Sequence, residues 1–395
     1  MKETTDPAAP AGTPGVRVAV YRRIEELEPL AAAWDRLVFA DTGRLPMSSH
    51  AWVASYLAER HPAARRWMCL AAFAGDRLEG VWPIEVEEIR ILGRRLPMLR
   101  QPWDSHMQSV EAVVRPGRER AVLTALRAAL DDAAPAWFGL NFDHLEEGAP
   151  LAGEAARALT RTTLLCEGSN YASVVKCTGD WDEYLAGLGR NFRKHLRKEH
   201  RRLAEIGEVR TEFLAGPQAD PELLRRFARI EAAGWKGKRG TAISSRENLT
   251  AFYRALCRRL AERGALEWHF LRAGGHDLAG HFAIRTGKAL VIQKIGYDEA
   301  FAAYSPGVVL MERALERAFA DAATAEVNLV TDRAWHDAWH PEKRPYIQVR
   351  MYPRRVRSLV AGAWPHRVRL ALRRVRPLRR AVGWWRSRRT GPGAD

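Results

Sequence analysis

Residues 291–322 read VIQKIGYDEAFAAYSPGVVLMERALERAFADA. The first part is apolar and β-branched, as in a strand. The middle is small and polar, and the end places apolar residues at helical spacing. Ser305-Pro306-Gly307 marks the join. A hydroxyl at the cap, a proline in the first turn and a glycine open to close approach make a helix start with free N–H groups and the positive end of the helix dipole. Such a terminus suits an anion, and a pyrophosphate in particular. The same residues also describe an ordinary capped helix.

Working outward, Leu266 to Ala273, the turn Gly274-Gly275 and Leu278 to Arg285 predict a hairpin, and Ala289 to Tyr297 a third strand. Val308 to Ala320 is the helix, with strands at Glu326 to Val330 and Tyr346 to Tyr352. Upstream come a strand (Ala172 to Cys177), helices at Trp181 to Leu188 and at the very basic Phe192 to Ile206, a strand (Val209 to Leu214), and helices at Pro221 to Ala233 and Glu247 to Arg263. The first half has a similar order. Val16 to Tyr21 reads as a strand, Ile24 to Val38 and Ala51 to Leu57 as helices, and Trp67 to Ala74 with Leu78 to Val86 as a hairpin. Arg118 to Leu130 is a helix and Trp137 to Phe142 a strand. Two copies of one α+β unit are therefore expected, with mixed, mostly antiparallel sheets flanked by helices. The expected divisions are a disordered leader at 1–15, a supporting domain at 16–168, a second and more complete domain at 169–352, and a basic tail at 353–395.

At 395 residues, with 47% hydrophobic and 28% charged positions, the composition is globular and two domains are the prior. No run approaches eighteen apolar residues, so no transmembrane helix is expected. The start lacks the basic and apolar stretches of a signal peptide. Cys69, Cys166, Cys177 and Cys257 form no CxxC pair and sit near no histidine at zinc spacing, so reduced thiols and no metal are expected. Of the net charge of +16, +13 lies between Arg350 and Asp395. There, Leu370, Leu372, Val375, Leu378 and Val382 sit among arginines, ahead of Trp384-Trp385. This composition favours an anionic membrane surface over RNA as the partner of the tail.

Tyr304-Ser305-Pro306-Gly307 after a three-strand meander resembles the GNAT-fold acyltransferases of the CelD type, also called BioF2-like, and the related Fem-type peptidyltransferases. Asn191 to Arg197 resembles the family's basic helix, and Glu231 to Gly237 its E…WK segment. Val327 to Asp332 followed by Trp335 to Trp339 is similar to its late strand and "YK..W" box, and Leu45 to Trp52 to its P-x-S-x-x-W entry. Asn328 stands where the family often has an acid, and His336 where it has the lysine. The usual Q/R-x-x-G-x-G/A loop is absent. The resemblance implies an acyl-CoA donor, held by Gln293, Lys294, Ile295 and Gly296 on the strand and by Tyr304, Ser305, Pro306, Gly307 and Val308 at the helix start.

Acyl transfer needs a held carbonyl, a deprotonated nucleophile and a protonated leaving thiolate. Asp332, Glu231, His336 and His281 are the candidate bases. Each has a plainer role open to it: Glu231 pairing with Lys236 or Arg239, Asp332 capping a helix, and both histidines packed in the core. Trp235, Trp335 and Trp339 suit a sugar or lipidic acceptor, and so do Trp103 and Asp104 in a Trp103-Asp104-Ser105-His106 cluster. Lys236 in GWKGKRG reads as part of a mobile loop clamping an anionic acceptor. The expected activity is transfer of an acyl group, acetyl in the first instance, from acyl-CoA to an amine or hydroxyl of a glycan precursor or small acceptor, in the cytoplasm or at the inner membrane face. The alternatives are an aminoacyl-tRNA-dependent peptidyl transferase and a non-catalytic polysaccharide-assembly factor.

Overall fold

Apolar–polar alternation broken at positive-φ glycines, Gly75 in the first half and Gly274, Gly275 and Gly287 in the second, builds hairpins in both parts of the chain. The computed structural model describes residues 15–374, apart from 41–44 and positions 64, 92, 105, 108, 109, 135, 147, 158 and 160. The leader up to residue 14, Ser105, and the tail beyond 374 lie outside the described residues.

In the first half, β1 (Arg17–Tyr21) leads to α1 (Ala31–Phe39) and α2 (His50–Glu59). Then come β2 (Arg66–Ala74), β3 (Arg77–Ile91), β4 (Arg94–Arg100), β5 (Val113–Val114), α3 (Glu119–Ala133), β6 (Gly139–Glu146) and α4 (Glu154–Arg157). The second half runs β7 (Thr162–Lys176), α5 (Trp181–Gly187), α6 (Arg190–Ile206), β8 (Val209–Ala215), α7 (Leu224–Ala233), α8 (Trp235–Lys238) and α9 (Glu247–Glu262). It continues with β9 (Leu266–Ala273), β10 (His276–Thr286), β11 (Ala289–Tyr297), α10 (Pro306–Ala320), β12 (Glu326–Asn328) and β13 (Glu342–Pro353), then α11 (Val356–Ser358) and α12 (Trp364–Arg374).

The class is α+β as expected, but the strands form one sheet, ordered β1-β2-β3-β4-β6-β13-β7-β12-β11-β10-β9-β8, with β5 on β3. The order reads alike from both ends: four antiparallel strands, a parallel neighbour, then one of the central pair. β7 and β13 pair from Thr162 and Pro353 to Val174 and Glu342, so both are much longer than the sequence reading of them. The early part of β7 carries Glu167, Ser169 and Asn170 and is half open to solvent, which removes the apolar period that marks a strand. The expected division at 168/169 falls within β7. The helix expected over Ile24 to Val38 begins only at Ala31. Ile24–Glu26 and Glu28–Leu30 form separate tight turns, with Pro29 depriving the chain of an N–H there.

One face of the sheet carries a single core shared by both halves, in which α1, α2, α7 and α9 bury Trp34, Trp52, Phe227, Phe252 and Trp268. Trp52 and Phe252 meet edge to face at 6.0 Å, tying α2 to α9. On the other face the halves have separate cores, around α3 in the first and α10 with α6 in the second.

Candidate active site

β11 and β12 are partners only over Ala289–Val291 and Glu326–Asn328. Past Asn328 the chain turns out of the ladder. Asn328 Oδ1 accepts the Val330 N–H at 2.7 Å, Val330 takes φ +62°, and the Leu329 N–H crosses to the Ser173 carbonyl. β11 runs on, and the opening between the two is a cleft of about 820 Å³ lined by Ile292 to Tyr297 on one side and by Leu329, Thr331, Arg333, Trp335 and His336 on the other. The register between β10 and β11 shifts at Phe282/Ala283, leaving Gln293 as an extra, bulged residue. Its Oε1 is buried with no hydrogen-bond partner among the described residues. Ile295 turns its carbonyl to the open edge, where Lys236 Nζ donates to it at 2.9 Å. The N–H of the same residue shares that direction.

α10 starts at the end of this cleft, and Ser305, Pro306, Gly307 and Val308 line it. The expected hydroxyl cap is not formed. Ser305 is left-handed at φ +47°, and its side chain makes no capping bond. Its carbonyl accepts the Val308 and Val309 N–H groups at 3.0 and 3.3 Å. A left-handed non-glycine residue is strained by roughly 1–2 kcal/mol. A Cβ on Gly307 would meet only Tyr297, at 3.8 Å, so the first turn opens onto free space.

Opposite β11 stands the corner of α7 and α8. Gly234 and Gly237 allow this corner, since a Cβ on either would collide with a backbone oxygen, at 2.7 Å from Tyr297 and 1.9 Å from Ala232. The GWKG segment is therefore a packed helical turn and not a mobile loop. Lys238 is tied to Glu299. Glu231 is buried. Its Oε1 accepts from Lys236 Nζ at 2.9 Å and Lys294 Nζ at 2.8 Å, and its Oε2 from the Ile243 N–H at 2.8 Å. Burial pushes the Glu231 pKa up, but the two ammonium charges and the hydrogen bonds outweigh it and hold the carboxyl below its usual range. Burial draws Lys294 down to about 8 despite its carboxylate partner.

The first half of the chain completes the rim. Arg60 Nε donates to Asp104 Oδ2 at 2.8 Å, Asp104 Oδ1 accepts the His106 N–H at 2.7 Å, and His106 Nδ1 lies 3.1 Å from the buried Tyr253 hydroxyl. Arg60, His106 and Tyr253 all line the cleft. Tyr253 and Arg60 carry no local signal in the sequence, since one is a tyrosine within the amphipathic α9 and the other an arginine just past the end of α2.

The remaining candidates are distributed as follows. Glu231, His336, Trp235, Lys236, Trp335 and the two donor segments, except Tyr304, meet in this cleft. Tyr304 stacks under the Arg202 guanidinium at 4.9 Å. Trp103, Asp104 and Asp332 line a second groove of about 480 Å³ with Tyr171 and Tyr346, which shares Thr331 and Arg333 with the first. Asp332 accepts from Ser173 at 3.0 Å and Lys343 at 2.5 Å, and the Lys343 hydrogen bond holds its pKa below the usual range. Two candidates fall elsewhere. His281 is buried beside His269, at 3.3 Å between Nδ1 atoms, and does not reach the cleft. Trp339 is core, edge-on to Phe192 at 4.8 Å.

His336 is buried at the cleft wall with its ring edge on Trp335, and its Nδ1 lacks a partner among the described residues. Burial, then the nearby Lys343 charge, push its pKa down to about 4, against the Asp332 carboxylate and a hydrogen bond to Thr331. Burial drives His50 and His106 to about 4 as well. In the unfolded chain these three titrate near about 6.5. Their contribution to stability is therefore complete above about pH 6.5, is lost as pH falls toward about 4 while only the unfolded chain binds protons, and levels off below that. Each adds up to about 1.4 kcal/mol per pH unit inside this window. The urea midpoint should fall steeply between these limits; a flat midpoint would contradict the neutral state of these rings.

Residues 190–341 match the family model of the acetyltransferase (GNAT) domain. The matched stretch runs from the start of α6 to the turn before β13 and holds the opening between β11 and β12, the α10 start and the α7–α8 corner. Two solved structures share the fold over most of the chain. The crystal structure of FemX has 11% identity and a TM-score of 0.57, covering 84% of this chain and 96% of that one. A conserved protein of unknown function from Bacteroides thetaiotaomicron VPI-5482 has 12% identity and a TM-score of 0.50, covering 85% and 100%. At these identities the likeness is one of fold. No curated protein matches the sequence. No described helix is long and apolar enough to cross a membrane, and no metal-holding cluster of His, Cys, Asp or Glu is found among the described residues.

Proposed function

We propose that the chain is a cytoplasmic acyltransferase that takes an acyl group from an acyl-CoA thioester and passes it to an amine or hydroxyl of a sugar-like acceptor. The observation that carries this reading is the opening between β11 and β12, which leaves a strand edge free beside an unshielded helix start. An extended thioester arm can lie along that edge. In this reading the Ile295 N–H holds the acyl oxygen and the N–H groups of Gly307 and its neighbours hold a phosphate. The sequence resemblance to the CelD-type enzymes points the same way.

The acceptor enters, in this reading, through the second groove, where Trp103, Tyr171 and Tyr346 offer ring surface and Asp104 and Asp332 offer acceptors for hydroxyls. Thirty-nine percent of Trp103 and half of Tyr171 are exposed, as suits rings awaiting a ligand. In this reading His336, on the shared Thr331–Arg333 wall of the cleft, takes the proton of the attacking group, once a small ring movement brings its buried, unpartnered Nδ1 to the cleft. Burial keeps the ring neutral and its lone pair available, and the same burial makes it a weak base that needs the donor-bound site to raise its proton affinity. The new bond joins the acceptor N or O to the acyl carbon, the C–S bond breaks, and the proton passes through the site to the leaving thiolate.

Release of free thiol from acetyl-CoA with a panel of amino sugars and polyols tests the activity. His336→Ala should lower kcat about 10²–10⁴-fold while leaving CoA affinity in place. Asp332→Ala should change KM more than kcat, because its carboxylate is already engaged by Lys343. The opposite ranking would make Asp332 the base, and an absence of thiol release with every acceptor would count against the acyltransferase reading.

A further inference from the structure

Among the described residues, eight large hydrophobic side chains are exposed, and their positions are not scattered. Trp103 and Tyr171 line the second groove, and Trp235 and Trp335 the cleft. The other four are Val356 (79% exposed), Val360 (64%), Trp364 (67%) and Val368 (41%), four residues apart along the helical segment after β13. That spacing sets them along one side of a helix.

The segment is amphipathic in the reverse sense. Its sheet-facing side is mostly small: Ser358, Gly362 and Ala363 are buried, and the half-buried Leu359 and Ala361 pack on the same cluster. A Cβ on Gly362 would come within 2.5 Å of the Tyr352 ring and 3.1 Å of Phe138, so the backbone is pressed against the sheet. A surface helix of a water-exposed protein buries its large apolar residues. Here Leu359 is the one large apolar residue of the segment that packs on the sheet, beside Ser, Gly and Ala, while three valines and a tryptophan face outward.

The charges beside this stripe are of one sign. Arg354, Arg357, Arg367 and Arg369 are exposed, and no Asp or Glu occurs between Arg350 and the final Asp395. A second copy of the chain laid on the stripe would set arginines against arginines. Residues 375–395 carry six more arginines and one acid, so they would bring like charge to the same place. The complementary surface is apolar just beneath an anionic layer.

We propose that residues 356–368 dock the protein on an anionic lipid bilayer, with Val356, Val360, Trp364 and Val368 entering the acyl boundary and the arginines meeting the headgroups. This deepens the reading above, from which it takes only the choice of the cytoplasmic leaflet. It identifies the docking face as a helix fixed to the sheet and not the arginine-rich end alone, so the catalytic domain is held at a set height and angle to the membrane.

The test is flotation of the full-length chain with phosphatidylglycerol-containing vesicles and with pure phosphatidylcholine vesicles. The expected result is binding to the former only, weakened at least tenfold in the variant Val356→Ser/Val360→Ser/Trp364→Ser/Val368→Ser. Because those side chains are exposed, circular dichroism and the thermal midpoint should be unchanged. Should the variant misfold, Trp364→Ser alone is expected to lose at least threefold. Full binding by the stripe variant together with loss on deleting 375–395 would overturn the proposal in favour of the tail. No vesicle binding, with a dimer that the stripe variant breaks, would overturn it in favour of a second copy. Vesicle binding is read without turnover, so it fails or survives separately from the acyltransferase reading.

Discussion

Gly307→Asp is expected to remove the stabilisation of the protein by CoA while leaving the fold intact. A side chain fits, since its Cβ would find only Tyr297, at 3.8 Å. A carboxylate in the first turn of α10 favours the helix itself by about 0.3–1 kcal/mol through the dipole. The same charge occupies the place proposed above for a phosphate. Ligand at one hundred times its Kd raises stability by about 2.7 kcal/mol. A hundredfold loss of affinity at that concentration leaves about 0.4 kcal/mol, so most of the thermal shift vanishes. Gly307→Ala is the control and should keep the shift. An aspartate variant that retained it would show that no anion binds at this terminus.

The second large effect is expected at Glu231. Glu231→Gln keeps the shape but leaves Lys236 and Lys294 facing each other at a buried site without the carboxylate that accepts from both. Removing one member of a buried ionic set costs about 3–5 kcal/mol, so the urea midpoint should drop sharply. Because Lys236 also holds the Ile295 carbonyl, the free edge of β11 should shift and KM for the donor rise. Adding Lys294→Met should recover part of the lost stability, as one uncompensated charge is then gone. A Glu231→Gln protein of normal stability that had lost only kcat would instead make Glu231 a proton-transfer group.

Local and distant features of the site were unequally legible in the sequence. The strand, loop and helix around Ser305-Pro306-Gly307 are contiguous, and so are Glu231 and Lys236, so spacing alone placed them correctly relative to each other. The missing cap is not legible locally, because Ser305 also closes the preceding tight turn Glu299–Tyr304, in the left-handed region and with its N–H bonded to the Ala302 carbonyl. His281 could not be assigned to a face of β10 from alternation, since that strand is buried on both sides. The rim residues Arg60 and His106 arrive from the other half of the sheet, and only the shared core of α2 and α9 brings them to Tyr253. β4 was missed because Arg94, Arg95, Pro97 and Arg100 conceal it.

The pairing of β13 with β6 and β7 also governs the order in which the chain can fold. Arg350 reaches Asp143 across 207 residues of sequence, and β6 has no other neighbour on that side until β13 arrives. A nascent chain released from the ribosome through β12 would still hold an open sheet edge in its first half. Closing it late carries the entropy of a very long loop, which makes folding slow. Loss of the last strand by truncation would accordingly unmake the beginning of the protein as well as its end.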